Sequence, residues 1–335
     1  MSIVRFPSLV DIHVHLRDPG ATQKEDFYTG TSAALAGGIT TVFDMPNNPI
    51  PTFSEEALND KLKIANEKAV CNWGLYFGTD GKNVDLFEKI ASKVVGLKVY
   101  LNSTTGKYIV EDERLVECIF AAWPREKVIV VHAEKEKLDL ALKLCAKFKN
   151  KLHIAHVSTK EELEKIIEAK KDQLPVTCEV TPHHLFLTDA DLKVLKNYGD
   201  TKPSLVSSED QEFLWSHLGD IDCIASDHAP HLKEEKESDS PPSGVPGLET
   251  MLPLLLNAMN KKQITKNDII RMLHTNPHRI FNITPDPDTY TEVDPDEEWT
   301  IRGKNLKTKC GWTPFEGWKV KGKVVRVRCG HQQVI

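Results

Sequence analysis

Short apolar, β-branched runs recur along this chain at Ser8–Val14, Ile39–Phe43, Cys71–Phe77, Val94–Tyr100, Val128–His132, Leu152–Val157, Val176–Val180 and Ile221–Ala225. Each is short for a helix and carries few polar residues, as expected of a strand buried on both faces. Between them lie segments with helical spacing: Asp26–Leu35, Ser54–Glu67, Val84–Ser92, Glu111–Ala122, Glu134–Phe148, Lys160–Lys170 and Ser208–His217. Ser54, followed by Glu55 and Glu56, reads as a helix N-cap with an acidic first turn, and Gly37-Gly38 as a helix stop. This α/β alternation predicts a (β/α)8 TIM barrel. A doubly wound open sheet permits the same alternation. The count of eight favours the barrel, and so does the clustering of polar residues at strand C-terminal ends, where barrel enzymes keep their chemistry.

A helix at Leu248–Met259 follows the eighth run, and another is expected near Asn267–Phe281. An acidic, Pro-rich passage, Thr284–Glu298, then leads to short β-like runs at Glu298–Ile301 and Val320–Val327. They predict a small β appendage from the chain ends, packed on the barrel, dividing the chain at 1–283 and 284–335. At the front, Ile3 to Val10 reads as one strand leading into the first metal-ligand candidates. Glu235–Pro246, rich in charge, Ser, Pro and Gly, reads as a loop over or beside the barrel mouth. The chain starts and stops close to its strands, which is compatible with a segment of a larger polypeptide.

Composition narrows the class. The chain has 335 residues, 40% hydrophobic and 27% charged, ordinary for a globular fold with a large core. A net charge of −6 argues against a nucleic-acid footprint, and the lysine runs fall on helical stretches as solvated faces. No apolar segment reaches the roughly 20 residues that span a bilayer. The N-terminus lacks the apolar core of a secretion signal. Seven cysteines are scattered without CxxC pairing, so a reducing cytoplasmic setting is expected.

The chemistry sits at the run ends. His13 and His15, two apart on a strand, share one face, and imidazole is the common nitrogen ligand of zinc. Later runs supply Lys98, His132, His156 and Asp227, so these side chains should converge on one mouth. A lysine on an apolar strand favours the neutral amine, which can add carbon dioxide to give an anionic carbamate, a bidentate ligand for two metals. The plainer alternative is a salt bridge or a side chain reaching to the rim. Asp227 can ligate a metal and take a proton from the attacking water, or it can simply cap a turn. Of His228 and His231, one is expected to be structural.

The motifs Asp11-Ile12-His13-Val14-His15-Leu16-Arg17-Asp18-Pro19-Gly20, Met45-Pro46-Asn47, Gly96-Leu97-Lys98-Val99-Tyr100-Leu101-Asn102, His132-Ala133-Glu134, Ile154-Ala155-His156-Val157 and Ala225-Ser226-Asp227-His228-Ala229-Pro230-His231 resemble the amidohydrolase superfamily. Within it the likeness is to dihydroorotases, above all the dihydroorotase domains of animal-type multifunctional pyrimidine-synthesis proteins. It runs from Asp11 to about Val327 and includes Cys178–Leu187, Pro246–Leu256 and Trp312–Gly317. The resemblance implies two Zn2+ bridged by N6-carboxylated Lys98 and a hydroxide. His13, His15, Lys98 and Asp227 would hold one, and Lys98, His132 and His156 the other. Asp227 would be the catalytic acid–base, while Arg17, Asn47 and His231 would grip the substrate carboxylate. A guanidinium reads a carboxylate bidentately. The implied reaction is the reversible cyclisation of N-carbamoyl-L-aspartate to (S)-dihydroorotate in de novo pyrimidine synthesis. A homodimer is implied too, with carbamoyl phosphate synthetase and aspartate transcarbamoylase as neighbours if the chain belongs to a fusion.

Departures from the animal pattern are confined. Ala155 stands where those domains carry a cysteine that serves an additional zinc together with a residue matching Glu179, so a third Zn2+ is doubtful and Glu179 becomes an orienting or gating candidate. Lys202 and Ser243 replace an Arg or Asn and a proline beside the substrate. Thr104 matches a threonine of the animal lid, and Thr105 replaces its phenylalanine. Two other readings remain: a metal-free scaffold relative, which should have lost ligands, and an amidase for uncharged rings, which would not need Arg17.

Overall fold

The computed structural model describes residues 3–103 and 108–334. Strand β1 (Val4–Pro7) stands apart. Strand β2 (Val10–Val14) opens an eight-stranded parallel sheet continued by β3 (Thr41–Asp44), β4 (Asn72–Gly78), β5 (Gly96–Tyr100), β6 (Val128–His132), β7 (Lys151–Ile154), β8 (Val176–Val180) and β9 (Cys223–Ile224), each beside the next in chain order. The sheet curls until its ends meet. Val14 and His228 form a parallel bridge, and the His15 amide donates to the His228 carbonyl at 2.8 Å. The Asp11 carboxylate accepts from the backbone amides of His13 and Ser226, at 3.1 Å each, tying the first strand to the loop after the last. The open doubly wound sheet is thereby set aside. Strands β2 to β6 are buried along their whole length, which is why their sequences are nearly unbroken apolar runs.

Helices cover the barrel close to their expected places, for example Phe27–Ala36, Glu55–Lys68, Glu136–Phe148 and Lys160–Lys171. Ser54 caps the second as expected, accepting from the Ala57 amide at 3.1 Å. The helix expected over Asn267–Phe281 is present but widens to a π-helical turn at Arg271–Thr275.

Two expectations about the chain ends need correction. The run from Ile3 to Val10 is not one strand. Pro7 has no amide to offer a ladder, and the chain leaves its first sheet there. Beyond it the Leu9 carbonyl accepts from the Thr40 amide at 2.8 Å, inside the barrel. Nor does the β-like run expected at Glu298–Ile301 start there: Tyr290–Thr300, most of it in the acidic passage, forms β10, flanked by β1 and by β11 (Lys319–Arg328) in an antiparallel three-stranded sheet. The register sets Asp294 opposite Lys323 and Glu298 opposite Lys321, and Arg5 binds Glu292 at 2.7 Å. The acidic strand thus lies between basic ones, where opposite charges support pairing.

Candidate active site

Every strand that the sequence singled out delivers its polar residue to one end of the barrel. His13 lies on β2 and His15 just beyond it, Lys98 on β5, His132 at the end of β6, His156 two residues past β7, Glu179 on β8 and Asp227 three past β9. A narrow cleft of about 30 Å³ opens among them, lined by His13, His15, Arg17, Asn47, Lys98, His132, His156, Lys202, Asp227 and Ser243. Tyr100, Ala229 and Gly244 complete the wall, none of them singled out by sequence. The lid candidates Thr104 and Thr105 lie outside the described residues.

The hydrogen bonds prepare nitrogen lone pairs. His13 Nδ1 meets Glu179 Oε1 at 2.5 Å, and its Nε2 lies 3.3 Å from Asp227 Oδ1. His15 repeats the pattern, with Nδ1 on Asn47 Oδ1 at 2.7 Å and Nε2 on Asp227 at 3.0 Å. An acceptor on Nδ1 fixes the tautomer and leaves Nε2 free to ligate. Burial lowers the pKa of His15 to about 4 and also lowers those of His132 and His156. Burial alone would raise Asp227, but the fields of His13, His15 and His156 outweigh it and hold the carboxyl well below the usual range.

Lys98 is wholly buried, and burial brings its amine down to about 8. Its Nζ and His156 Nδ1 have no hydrogen-bond partner. Buried polar atoms without partners are rare in folded proteins and call for an explanation. Here ligand atoms of His13, His156 and Asp227 fall within 4.8 Å of one another. A set of imidazoles, a carboxylate and a lysine whose free amine is made more accessible by burial, with atoms left unpaired, fits divalent cations of the zinc type. Three of the side chains reach the cleft from left-handed backbone: Arg17 (φ 63°), His156 (φ 36°) and Asp227 (φ 43°). Non-glycine residues rarely occupy that region, and strain of this kind gathers at functional sites.

A cationic corner stands beside this cluster. Arg17 Nε donates to the Pro230 carbonyl at 3.2 Å, and Arg17 Nη2 lies 3.2 Å from His231 Nε2. Asn47 reaches the same cleft from the Met45-Pro46-Asn47 turn. Below that turn the buried Lys61 binds Asp44 at 2.6 Å, the Met45 carbonyl at 2.8 Å and Asn48 Oδ1 at 2.7 Å. Burial, then the charges of Arg17, Lys24 and Lys236, push His231 down to about 2. His228 and His231, both buried, differ in their partners. His228 faces the buried Glu25 at 3.3 Å and accepts from the Gly247 amide, holding the loop rather than facing the cleft.

Glu179 does not line the cleft. Its oxygens serve His13, the His156 amide at 3.2 Å and His153 Nε2 at 3.1 Å. Burial would raise its carboxyl, but the field and hydrogen bond of His13 and the hydrogen bond of His153 hold it far lower. Both oxygens of Glu179 are thus engaged by His13, His153 and a backbone amide, and the buried Ala155 beside it offers no donor. His153, wholly buried and also bound to Thr177 Oγ1 at 2.8 Å, was not singled out by sequence, although its place two residues before Ala155 on the same strand face could have marked it. Glu179→Gln should keep the fold and weaken metal retention about 10- to 100-fold. Competition with a chromogenic chelator measures it, and unchanged retention would remove the orienting role.

Residues 4–286 match the model of the amidohydrolase family. The chain is 45% identical over 314 residues to the multifunctional protein CAD of Squalus acanthias, covering 93% of this chain and 14% of that protein. It therefore spans a small part of that relative's length. It is 41% identical to the dihydroorotase of Pyrococcus horikoshii, covering 92% of this chain and 76% of that enzyme. Among solved structures, the inactive dihydroorotase-like domain of the Chaetomium thermophilum CAD-like multifunctional protein superposes over the whole chain and 96% of its own, with TM-score 0.85 and 25% identity. With eight strands in a barrel, the donor cluster at their C-terminal ends and these relatives, the chain belongs to the amidohydrolase family, in the branch of the dihydroorotases.

Proposed function

We propose that the chain is a metal-dependent dihydroorotase, interconverting N-carbamoyl-L-aspartate and (S)-dihydroorotate with water as co-reactant. The observation that carries this reading is the pairing of two features in one cleft: a buried donor cluster, and the Arg17 guanidinium, which shares the cleft with Asn47 and is backed by the neutral His231. An uncharged ring would leave that guanidinium without an anion to bind, whereas the carboxylate of dihydroorotate supplies one. His13, His15, Lys98 as its carbamate, His132, His156 and Asp227 would hold two zinc ions. When bound, the ions would supply Lewis-acid polarisation of the ring carbonyl and a lowered pKa for water.

The protein's own groups do the rest. Arg17, Asn47 and His231 orient the ring by its carboxylate, turning a bimolecular encounter into a positioned one. Asp227, an anion facing the cleft, accepts the proton of the attacking water and returns it to the ring nitrogen as the amide bond breaks. Reversed, the same two transfers close the ring. Lys202 and Ser243 line the same cleft and would flank the ring. The setting is cytoplasmic pyrimidine synthesis by a barrel over 1–283 carrying an appendage over 284–335, in a homodimer. Where the chain is part of a fusion, aspartate transcarbamoylase and carbamoyl phosphate synthetase are its neighbours. Among the described residues, no helix is long and apolar enough to cross a membrane.

Arg17→Met is the test. It should cut kcat/KM for dihydroorotate by about 10²- to 10³-fold, the cost of losing a charge-assisted pair, with most of the change in KM. Turnover of uncharged hydantoins by the wild type, with none of dihydroorotate, would replace this reading by another cyclic amidase. The likeness to an inactive domain raises a second reading, a scaffold without chemistry. The filled donor set opposes it, and a purified protein that is inert and free of metal would restore it.

A further inference from the structure

A second lysine is buried completely and plays no part in the chemistry above. Lys236 ends the short helix Lys233–Lys236, in a stretch whose composition reads as loop, yet its relative exposure is 0%. Its Nζ donates to the carbonyls of Pro242 at 2.8 Å, Gly244 at 3.1 Å and Asp200 at 3.5 Å, and lies 5.7 Å from the centre of the Trp312 ring. These carbonyls belong to two segments that meet at the cleft. Ser243 and Gly244 line it directly, and Lys202, two residues after Asp200, lines it as well.

The two segments also clasp each other. The Gly244 amide donates to the Asp200 carbonyl at 2.8 Å, and Ser243 Oγ to Asp200 Oδ2 at 2.9 Å. The wall then touches the carboxylate corner, because the Ser243 carbonyl lies 3.0 Å from His231 Nε2. Trp312, beneath the ammonium, donates from Nε1 to the His231 carbonyl at 2.7 Å, so the aromatic platform and the lysine hold the two sides of that contact. Gly244 sits at φ 128°, and a Cβ there would come within 2.8 Å of Ala229, so the wall passes close against the floor of the cleft.

We propose that Lys236 is a positioning residue for substrate binding. It shapes the 242–244 wall so that the Ser243 carbonyl meets His231, and so sets affinity for the carboxylate-bearing ring. Physical cost argues for such a role. Burying an ammonium is expensive, and an apolar side chain of similar length in its place is often neutral or stabilising for a fold alone. A lysine retained there for the fold alone would be a poor choice, whereas a lysine that must gather three carbonyls has no apolar substitute. The inference rests on the dihydroorotase reading.

The test is Lys236→Met, with Lys236→Gln as a shorter, uncharged variant that keeps an N–H donor group. Metal content, melting temperature, kcat and KM for dihydroorotate are measured beside the wild type, with amide hydrogen exchange over residues 242–247. The expected result is a folded, metallated Met variant whose KM rises about 10- to 100-fold. Its kcat should stay within about threefold, with faster exchange in the wall and an intermediate KM for Gln. If Met does not fold, the same criterion applies to Gln. Unchanged KM and exchange in a folded variant overturn the proposal, as does a fall in kcat alone. A wild type that does not turn over dihydroorotate sinks the functional reading instead, and the exchange arm then still reports whether Lys236 holds the wall.

Discussion

Lys98→Ala should lose turnover of dihydroorotate by at least about a thousandfold, or ~4 kcal/mol in the barrier, while the barrel melts close to the wild-type temperature. The expectation follows from where the amine sits. Lys98 pairs in register with Val130 and Gly78, in the middle of the barrel wall, and has no hydrogen-bond partner. A buried ammonium without a partner is costly, and burial brings this one down to about 8. Below that value the ammonium dominates, and each rise in pH toward 8 exposes more free amine. That amine can add to carbon dioxide, forming a C–N bond and releasing a proton, and the product is an anion in place of a cation. Carbamate formation should therefore increase with pH through this window, followed as the carbonyl resonance of protein incubated with 13C-bicarbonate. In the alanine variant the resonance should vanish and the bound metal should fall, and a short-chain carboxylic acid should restore part of the activity by occupying the vacated space. An alanine variant with near-normal turnover would return Lys98 to the plainer role of a structural amine.

The barrel was legible because its strands are buried on both faces. A run such as Val128–His132 needs no partner to announce itself, and its exact bounds recur in the structure. The metal-ligand candidates were legible for a related reason: they lie within, end or closely follow such runs toward their C-terminal halves, and a barrel gathers the strands around one mouth. What the sequence hid depends on partners far away in the chain. β10 is acidic and carries Pro295, so taken alone it resembles a loop. It becomes a strand because the lysines of β11 and Arg5 of β1 flank it. Lys236 was hidden in the same way, since its three carbonyls belong to residues with no local signal. The role of Glu179 turned on His153, 26 residues away on the neighbouring strand. Left-handed backbone at His156 and Asp227 is not encoded by glycine at those positions either, and the surrounding barrel imposes it.

Asp227→Asn should lower kcat by about 10²- to 10⁴-fold, the usual range for removing a positioned proton carrier, and leave KM within about threefold. Asparagine keeps the size of the side chain and an oxygen that can face His15 Nε2, now 3.0 Å away. What it cannot do is hold a proton between the attacking water and the leaving nitrogen. The carboxyl lies well below its usual range despite burial, because His13, His15 and His156 surround it, so it enters the reaction as the anion. Its position past β9, on left-handed backbone, turns it into the cleft that Arg17 also lines. Since an enzyme cannot shift the equilibrium between ring and open chain, kcat/KM for hydrolysis and for cyclisation must fall by the same factor. Measuring both directions separates loss of the proton carrier from damage to one substrate's binding, which would show in KM. Metal content of the asparagine variant is the necessary companion measurement. If it stays near that of the wild type while kcat falls in both directions with KM for each substrate unchanged, the defect lies in proton transfer. If turnover survives within about tenfold with metal retained, another group carries the proton and Asp227 serves only as a ligand.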